Sequence, residues 1–483
     1  MRRVVIAGLA LLITTASAAV DFSSSSAALN DAWAFAVPTA LAYVQTGKRP
    51  DYIPSYWAGL LDRPAFYVRD LAHQALGAHV LSLDLENLSM MRVFAASATK
   101  TRLYFPLWSF AFNGSIYPID YNSDTNYVRE TPTPYDLLAC AARLMAWTND
   151  TSYATDAGLW ASWAAYTGPF VGMHDPTATG IVGQASPSGD IFQGAASYVE
   201  NGEKLIIGAD SFAKQVLGFE SAAAMLDVRG DAAAANATRA QAAALRATFA
   251  TQWYTSTLGY SRGLNSAGML YGYSETNSVF PATSYMLSPG PRTEAHLNLI
   301  ADSARASGTE LRTYVPEAMF AYGRPDVARD YITQLVSDPR RTYPEVSFTL
   351  VADLAVHLLG LEPLPQALGS AKAVVSTLGA NLPSDTAWAR ARGVPLAGYT
   401  LDVTQYSNAT TRVATTIFAA SRADASTSMA WEARFLGNYA TLYVNGTAVA
   451  SQRGTTRAGL AFAAVVIEIT PGSGPVSVST SAT

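Results

Sequence analysis

The strongest constraint on this fold is an alternation of two kinds of helical segment between about residues 26 and 361. One kind is amphipathic, with apolar residues at i, i+3 and i+4 and a charged opposite face, so it belongs on an outer surface. It covers about 28–46, 87–101, 153–170, 231–253, 292–306 and 325–336. The second kind is Ala, Leu, Val and Gly almost all round, at about 71–82, 134–147, 205–228, 280–287, 314–322 and 346–361. A helix apolar on every face is buried. Six outer and six inner helices in strict alternation predict an (α/α)6 barrel of six helical hairpins. The competing arrangements are an irregular all-α domain and a solenoid of helix pairs. A solenoid would repeat its sequence at a fixed period, and none appears beyond the alternation itself.

Past residue 361 the pattern changes. Residues 366–395 read as a linker with a connecting helix. Residues 396–483 read as a small antiparallel β domain, because runs such as 412–418, 440–444 and 465–469 alternate with period two. Asn445-Gly446 between two such runs is a hairpin turn. The Ser/Thr/Gly-rich tail 472–483 reads as frayed and disordered.

The barrel therefore occupies 19–365, after a basic start, a short apolar run and small residues over 1–18 that read as a secretory signal peptide. No later stretch is long enough to span a bilayer, so a secreted, monomeric protein with no membrane insertion is expected. Sequons at Asn87, Asn113, Asn149, Asn236, Asn408 and Asn445 agree with a secreted glycoprotein. The single cysteine, Cys140, excludes an internal disulfide framework and reads as a small buried hydrophobe. Apolar residues make up 49% and charged residues 14%, which fits a large core. A net charge of −5 without a basic cluster excludes nucleic acid as a partner.

Chemistry concentrates in the loops that lead into the inner helices, which a barrel of hairpins brings to one end. Arg69-Asp70 stands at the first, where an aromatic loop meets a small-residue helix that Asp70 is placed to cap. Tyr67 and Trp108 precede the first and second inner helices; Asp190, Tyr198 and Glu200 precede the third. Glu317 begins the fifth; Arg341 and Glu345 flank the start of the sixth. Acids and aromatics with few His and one Cys point to glycosyl chemistry, in which two carboxyl groups flank the scissile bond. Each acid also has a plain structural role as a helix cap. No cofactor or metal is expected; Asp120-Tyr121-Asn122-Ser123-Asp124 is oxygen-rich but lacks the other ligands of a calcium loop.

Four stretches carry a resemblance: 66–74, 189–194, Tyr314-Val315-Pro316-Glu317 and 343–348. With them the chain resembles the six-hairpin glycosidase superfamily over about residues 26–361. That resemblance implies a glycoside hydrolase acting on an oligo- or polysaccharide with inversion. It implies Asp190 as general acid with Glu200 as substitute, and Glu345 as base with Glu317 as substitute. Arg69, Asp70 and Arg341 would hold hydroxyls or a carboxylate, and Tyr67, Trp108 and Tyr198 would stack on sugar rings. Two other readings stand beside it. In a lyase acting on a uronate-containing glycan, His73, a tyrosine and an arginine would form the site. The last is an inactive carbohydrate-binding protein. His296 and His357 fall inside helical runs and read as structural.

Overall fold

The computed structural model describes residues 20–184, 191, 195–198, 205–273, 278–364, 373–408, 412–421 and 428–482. Six inner helices form a ring, numbered here in chain order. They are Val68–Val80, Thr133–Thr148, Ala209–Val228, Phe280–Thr283, Val315–Ala321 and Pro344–Ala352, the last continued by a π-turn over Asp353–His357. Each packs on the next, and the sixth packs on the first, so the ring is closed. The outer helices are Ala27–Ala42, Asp84–Ser97, Ala157–Thr167, Ala232–Gln252, Pro291–Ser303 and Pro325–Ser337. The alternation read from sequence is thus an (α/α)6 barrel. The fourth inner helix is shorter than expected, a single turn begun by Pro281.

Small residues let the inner helices approach. A Cβ on Gly77 would strike the backbone carbonyl of Phe348, so the first and sixth inner helices meet backbone to backbone. No helix among the described residues is long and apolar enough to cross a membrane.

The β region is larger than the sequence suggested. The strands Val374–Gly379 and Trp388–Leu396 occupy ground read as a linker with a helix, and Val476–Ser479 in the tail pairs with Arg412–Ser421. These segments look irregular in isolation, and long-range pairing decides them. Even Asp21–Ser24, before the first helix, adds an edge strand against Trp388–Leu396. The Asn445-Gly446 hairpin forms, with both residues at positive φ and Val444 opposite Thr447. The β region covers the end of the barrel where the inner helices finish. There the Ala397 amide donates to the Trp147 carbonyl at 2.6 Å, and Gln405 donates to the Leu359 carbonyl at 2.7 Å.

Asn87 corrects the list of glycan acceptors. It is buried, accepts from the Tyr56 hydroxyl at 2.7 Å and donates to the Ala75 carbonyl at 3.0 Å, so no glycan can reach it in the folded chain. Asn113, Asn149, Asn236 and Asn445 are exposed.

Candidate functional site

A cavity of about 610 Å³ follows the barrel axis, within the size range of small-molecule sites. Arg69, His73, Asp136, Lys214, Tyr314 and Glu317 line its upper part. All are carried on or beside the first turns of inner helices, where the ring brings six chain segments together.

The first and sixth inner helices supply the central pair. His73 Nδ1 lies 2.6 Å from Oε1 of Glu345. The imidazole stacks flat on Tyr314, with centroids 3.6 Å apart and planes at 8°. Glu345 is 1% exposed and lies against His73 rather than on the cavity wall. Its Oε2 and the Tyr314 hydroxyl are both sealed from solvent. Burial, then the neighbouring Asp70, pushes the Glu345 carboxyl well above the usual range. Burial also drives His73 down to about 3. Both shifts favour the uncharged forms of the two groups.

Asp70 does not cap its helix. The helix starts two residues earlier, at Val68, and the Asp70 carboxylate instead accepts from the Tyr343 hydroxyl. Burial raises Asp70 as well. Arg69 reaches Glu310 in a close ion pair and Glu130 at 3.8 Å, and its guanidinium stands 5.0 Å over the Tyr198 ring.

Deeper in the cavity Glu317 meets Arg143 at 2.6 Å and His357 at 3.8 Å. Burial by itself would raise Glu317, but Arg143 together with His357 and His73 outweighs it and holds the carboxyl well below the usual range. Burial lowers His357 to about 4. Two carboxyl groups on neighbouring inner helices, Glu345 and Glu317, are thus pushed in opposite directions.

The residues read from sequence separate into groups. Arg69, His73 and Glu317 line the cavity, with Asp70 and Glu345 immediately behind. Tyr67, Trp108 and Tyr198 are buried in the wall: Tyr67 and Trp108 meet edge to face at 5.1 Å, Trp108 Nε1 donates to Glu130 at 2.9 Å, and Tyr198 donates to Asp136. Arg341 is exposed, donates to the Val336 carbonyl and lies over Phe35 on the outer surface, because it belongs to the turn that ends an outer helix. Asp190 and Glu200 lie outside the described residues.

Sequence reading missed Asp136, Arg143 and Lys214, and read His357 as merely structural. Lys214 pairs with Asp136 at 2.6 Å, and all four line the cavity. Each is a polar side chain on a helix read as buried, but these helices carry other polar residues as well, so the sequence alone does not single out these four. Cys140 also lines the cavity; burial pushes its thiol up to about 12, so it is an inert wall residue.

No protein-family model matches this sequence, and no curated protein matches it. Solved structures do. An alpha-L-rhamnosidase from Dictyoglumus thermophilum aligns over 95% of this chain and 50% of its own, with 12% identity and a TM-score of 0.59. A GH78 family rhamnosidase of Bacillus sp. GL1 aligns over 83% and 40%, with 15% identity and a TM-score of 0.57. A protein from the human microbiome described as a kojibiose phosphorylase aligns over 94% and 68%, with 8% identity and a TM-score of 0.52. The chain spans half the length, or less, of these two rhamnosidases. At such identities the likeness is one of fold: this is a six-hairpin, glycosidase-like (α/α)6 barrel with a C-terminal β region.

Proposed function

We infer that the protein cleaves O-glycosidic bonds of a glycan bound in the axial cavity, by hydrolysis. The observation that carries this is the opposed pair of carboxyl groups. Groups whose surroundings drive their protonation apart supply an acid and an ionised partner at one pH. Glu345 is proton-loaded, and His73 connects it to the cavity. As the proton on Nε2 passes to the leaving glycosidic oxygen, Nδ1 takes the proton of Glu345. Glu345 so acts as the acid, whereas the resemblance gave it the role of base. Glu317, ionised and on the wall, offers negative charge to an oxocarbenium-like transition state. Asp190 and Glu200, to which the resemblance gave the acid's role, become the candidates for the carboxyl that activates water. Export through a signal peptide belongs to the same reading.

The test is to incubate the chain with neutral and uronate-containing oligosaccharides, with and without inorganic phosphate. New reducing ends, independent of phosphate and lost in Glu345→Gln, support hydrolysis, and the first-formed anomer tells inversion from retention. A sugar phosphate that appears only with phosphate rejects it.

The flat His73–Tyr314 stack beside Arg69 favours a second reading, a lyase acting on a uronate. There the imidazole removes the proton α to the carboxylate and an unsaturated product forms, visible by its ultraviolet absorbance. Silence on every glycan, with binding retained, would leave a carbohydrate-binding protein.

A further inference from the structure

The axial cavity does not stop at His73 and Glu317. On the second inner helix its lining runs from Asp136 to Trp147, eleven residues further on, or about 16 Å at the helical rise. The axis stays open because Ala139, Ala146, Ala224 and Ala321 bring only methyl groups to it.

The far end is built by both parts of the chain. Glu220 and Tyr285 come from the barrel, Arg434 and Arg457 from the β region. Arg457 lies 2.7 Å from one oxygen of Glu220, whose other oxygen meets Arg246 at 2.5 Å. The Arg457 guanidinium also stands 4.6 Å over the Tyr285 ring. Arg434 holds Glu432 at 2.6 Å and reaches Glu362 at 3.9 Å. Although they line an internal cavity, the Arg143 and Arg457 side chains keep 33% and 44% of their surface accessible. Tyr285 has φ of 55°, left-handed backbone that costs a side-chain-bearing residue energy and collects at functional sites. Arg246 fixes that conformation by donating to the Tyr285 carbonyl.

These charges balance. On the lining, Arg143, Arg434 and Arg457 stand with Glu317, Glu220 and Glu362. An acidic ligand would meet as many carboxylates as cations here. A neutral molecule rich in hydroxyls finds donors and acceptors side by side, with an aromatic ring for an apolar face.

We propose that the far half of the cavity is a second sugar-binding compartment, completed by the β region, that holds the distal units of a neutral saccharide reaching down from the first turns of the inner helices. This rests on the reading that the cavity binds a glycan; it adds the neutral class of ligand and a role for the β region.

The test is calorimetric binding, which does not depend on turnover. The probes are neutral gluco- and rhamno-oligosaccharides of one to four units and galacturonate oligomers of the same lengths. They are titrated into the full chain and its Arg457→Ala and Ala224→Trp variants. At least one neutral series should gain about tenfold in affinity with length. Both variants should bind the shortest sugar as the unaltered chain does and lose the gain. Arg457→Ala removes an accessible side chain, so it keeps the test usable where the tryptophan prevents folding. The proposal fails if affinity ignores length, if only galacturonates gain, if the variants keep the gain, or if folded Arg457→Ala loses the shortest sugar too. A protein that shows the gain without cleaving any glycan keeps this compartment and loses the hydrolase reading. Cleavage without length dependence has the opposite meaning.

Discussion

Nδ1 of His73 and Oε1 of Glu345 stand 2.6 Å apart, joining the first and sixth inner helices across the closure of the ring. They come from residues 272 apart in the chain, and the contact exists only because the barrel closes. Tyr314 fixes the imidazole plane from a third inner-helix start. The contact joins a carboxyl sealed in the wall to a ring on the cavity surface.

Glu345→Gln keeps the volume and a polar contact to His73 but removes the transferable proton. Turnover should fall by roughly 100-fold or more, the usual scale of general acid–base catalysis, while circular dichroism and the urea midpoint stay near those of the unaltered chain. Turnover within a few-fold of the original would remove Glu345 from the mechanism.

Asp70 raises the Glu345 carboxyl because two buried negative charges cannot both form cheaply. Activity that needs the proton-loaded carboxyl persists above the ordinary glutamate range and falls as pH rises through the raised value. Asp70→Asn removes the neighbouring charge and lowers Glu345, so the alkaline limb of kcat against pH should move to lower pH. A limb that stays in place, or moves up, contradicts the coupling.

His296 tests burial away from the site. Its Nε2 lies 2.9 Å from the Ser278 carbonyl, and burial lowers it to about 4. Between about pH 4 and 6.5 the unfolded histidine binds a proton that the folded one refuses, so this group's contribution to stability rises with pH and is lost on acidification. The shift corresponds to roughly 3 kcal/mol across that window. Denaturant midpoints of His296→Gln should depend less steeply on pH there than those of the unaltered chain, and equal slopes would refute the assignment.

Arg143 and Glu317 form a pair on the cavity wall. Arg143→Met leaves Glu317 without its counter-charge; cavity water screens part of the loss, so the cost should be about 1–3 kcal/mol, below that of a fully sealed pair. Adding Glu317→Gln should recover much of it, because the uncompensated charge is then gone. A double variant as unstable as the sum of the two singles would show that the pair is not coupled.

The barrel was legible because its signal is local and repeated: helical period, all-round apolarity and alternation need no partner. The short strands that draw residues 21–24, 374–379 and 476–479 into the β sheets were not, since each is fixed by a distant neighbour. The same division holds in the site. Arg69, His73 and Glu345 stood out at helix starts, whereas the value of Lys214 and Arg143 lies in Asp136 and Glu317 on other segments. Tyr67 and Trp108 show the limit of reading loop aromatics as sugar platforms, for they pack on each other. Arg341 failed because a single turn decides whether a side chain points to the axis or over an outer helix.

Gly77 links the fold to the site. It sits one turn after His73 on the first inner helix, where a methyl group would meet the backbone carbonyl of Phe348, three residues after Glu345 on the sixth. Backbone cannot move aside as a side chain does, so Gly77→Ala must push the two helices apart. The expected cost is about 1–3 kcal/mol of stability, typical of overpacking in a closed core. The displacement falls on the His73–Glu345 contact, because both residues lie within a turn of the clash. Turnover measured on folded protein should therefore drop along with the urea midpoint, whereas Gly230→Ala, in a turn with open space around it, should cost only backbone strain and leave turnover intact. A Gly77→Ala protein of full stability and full activity would mean that the helices are not in contact at this point.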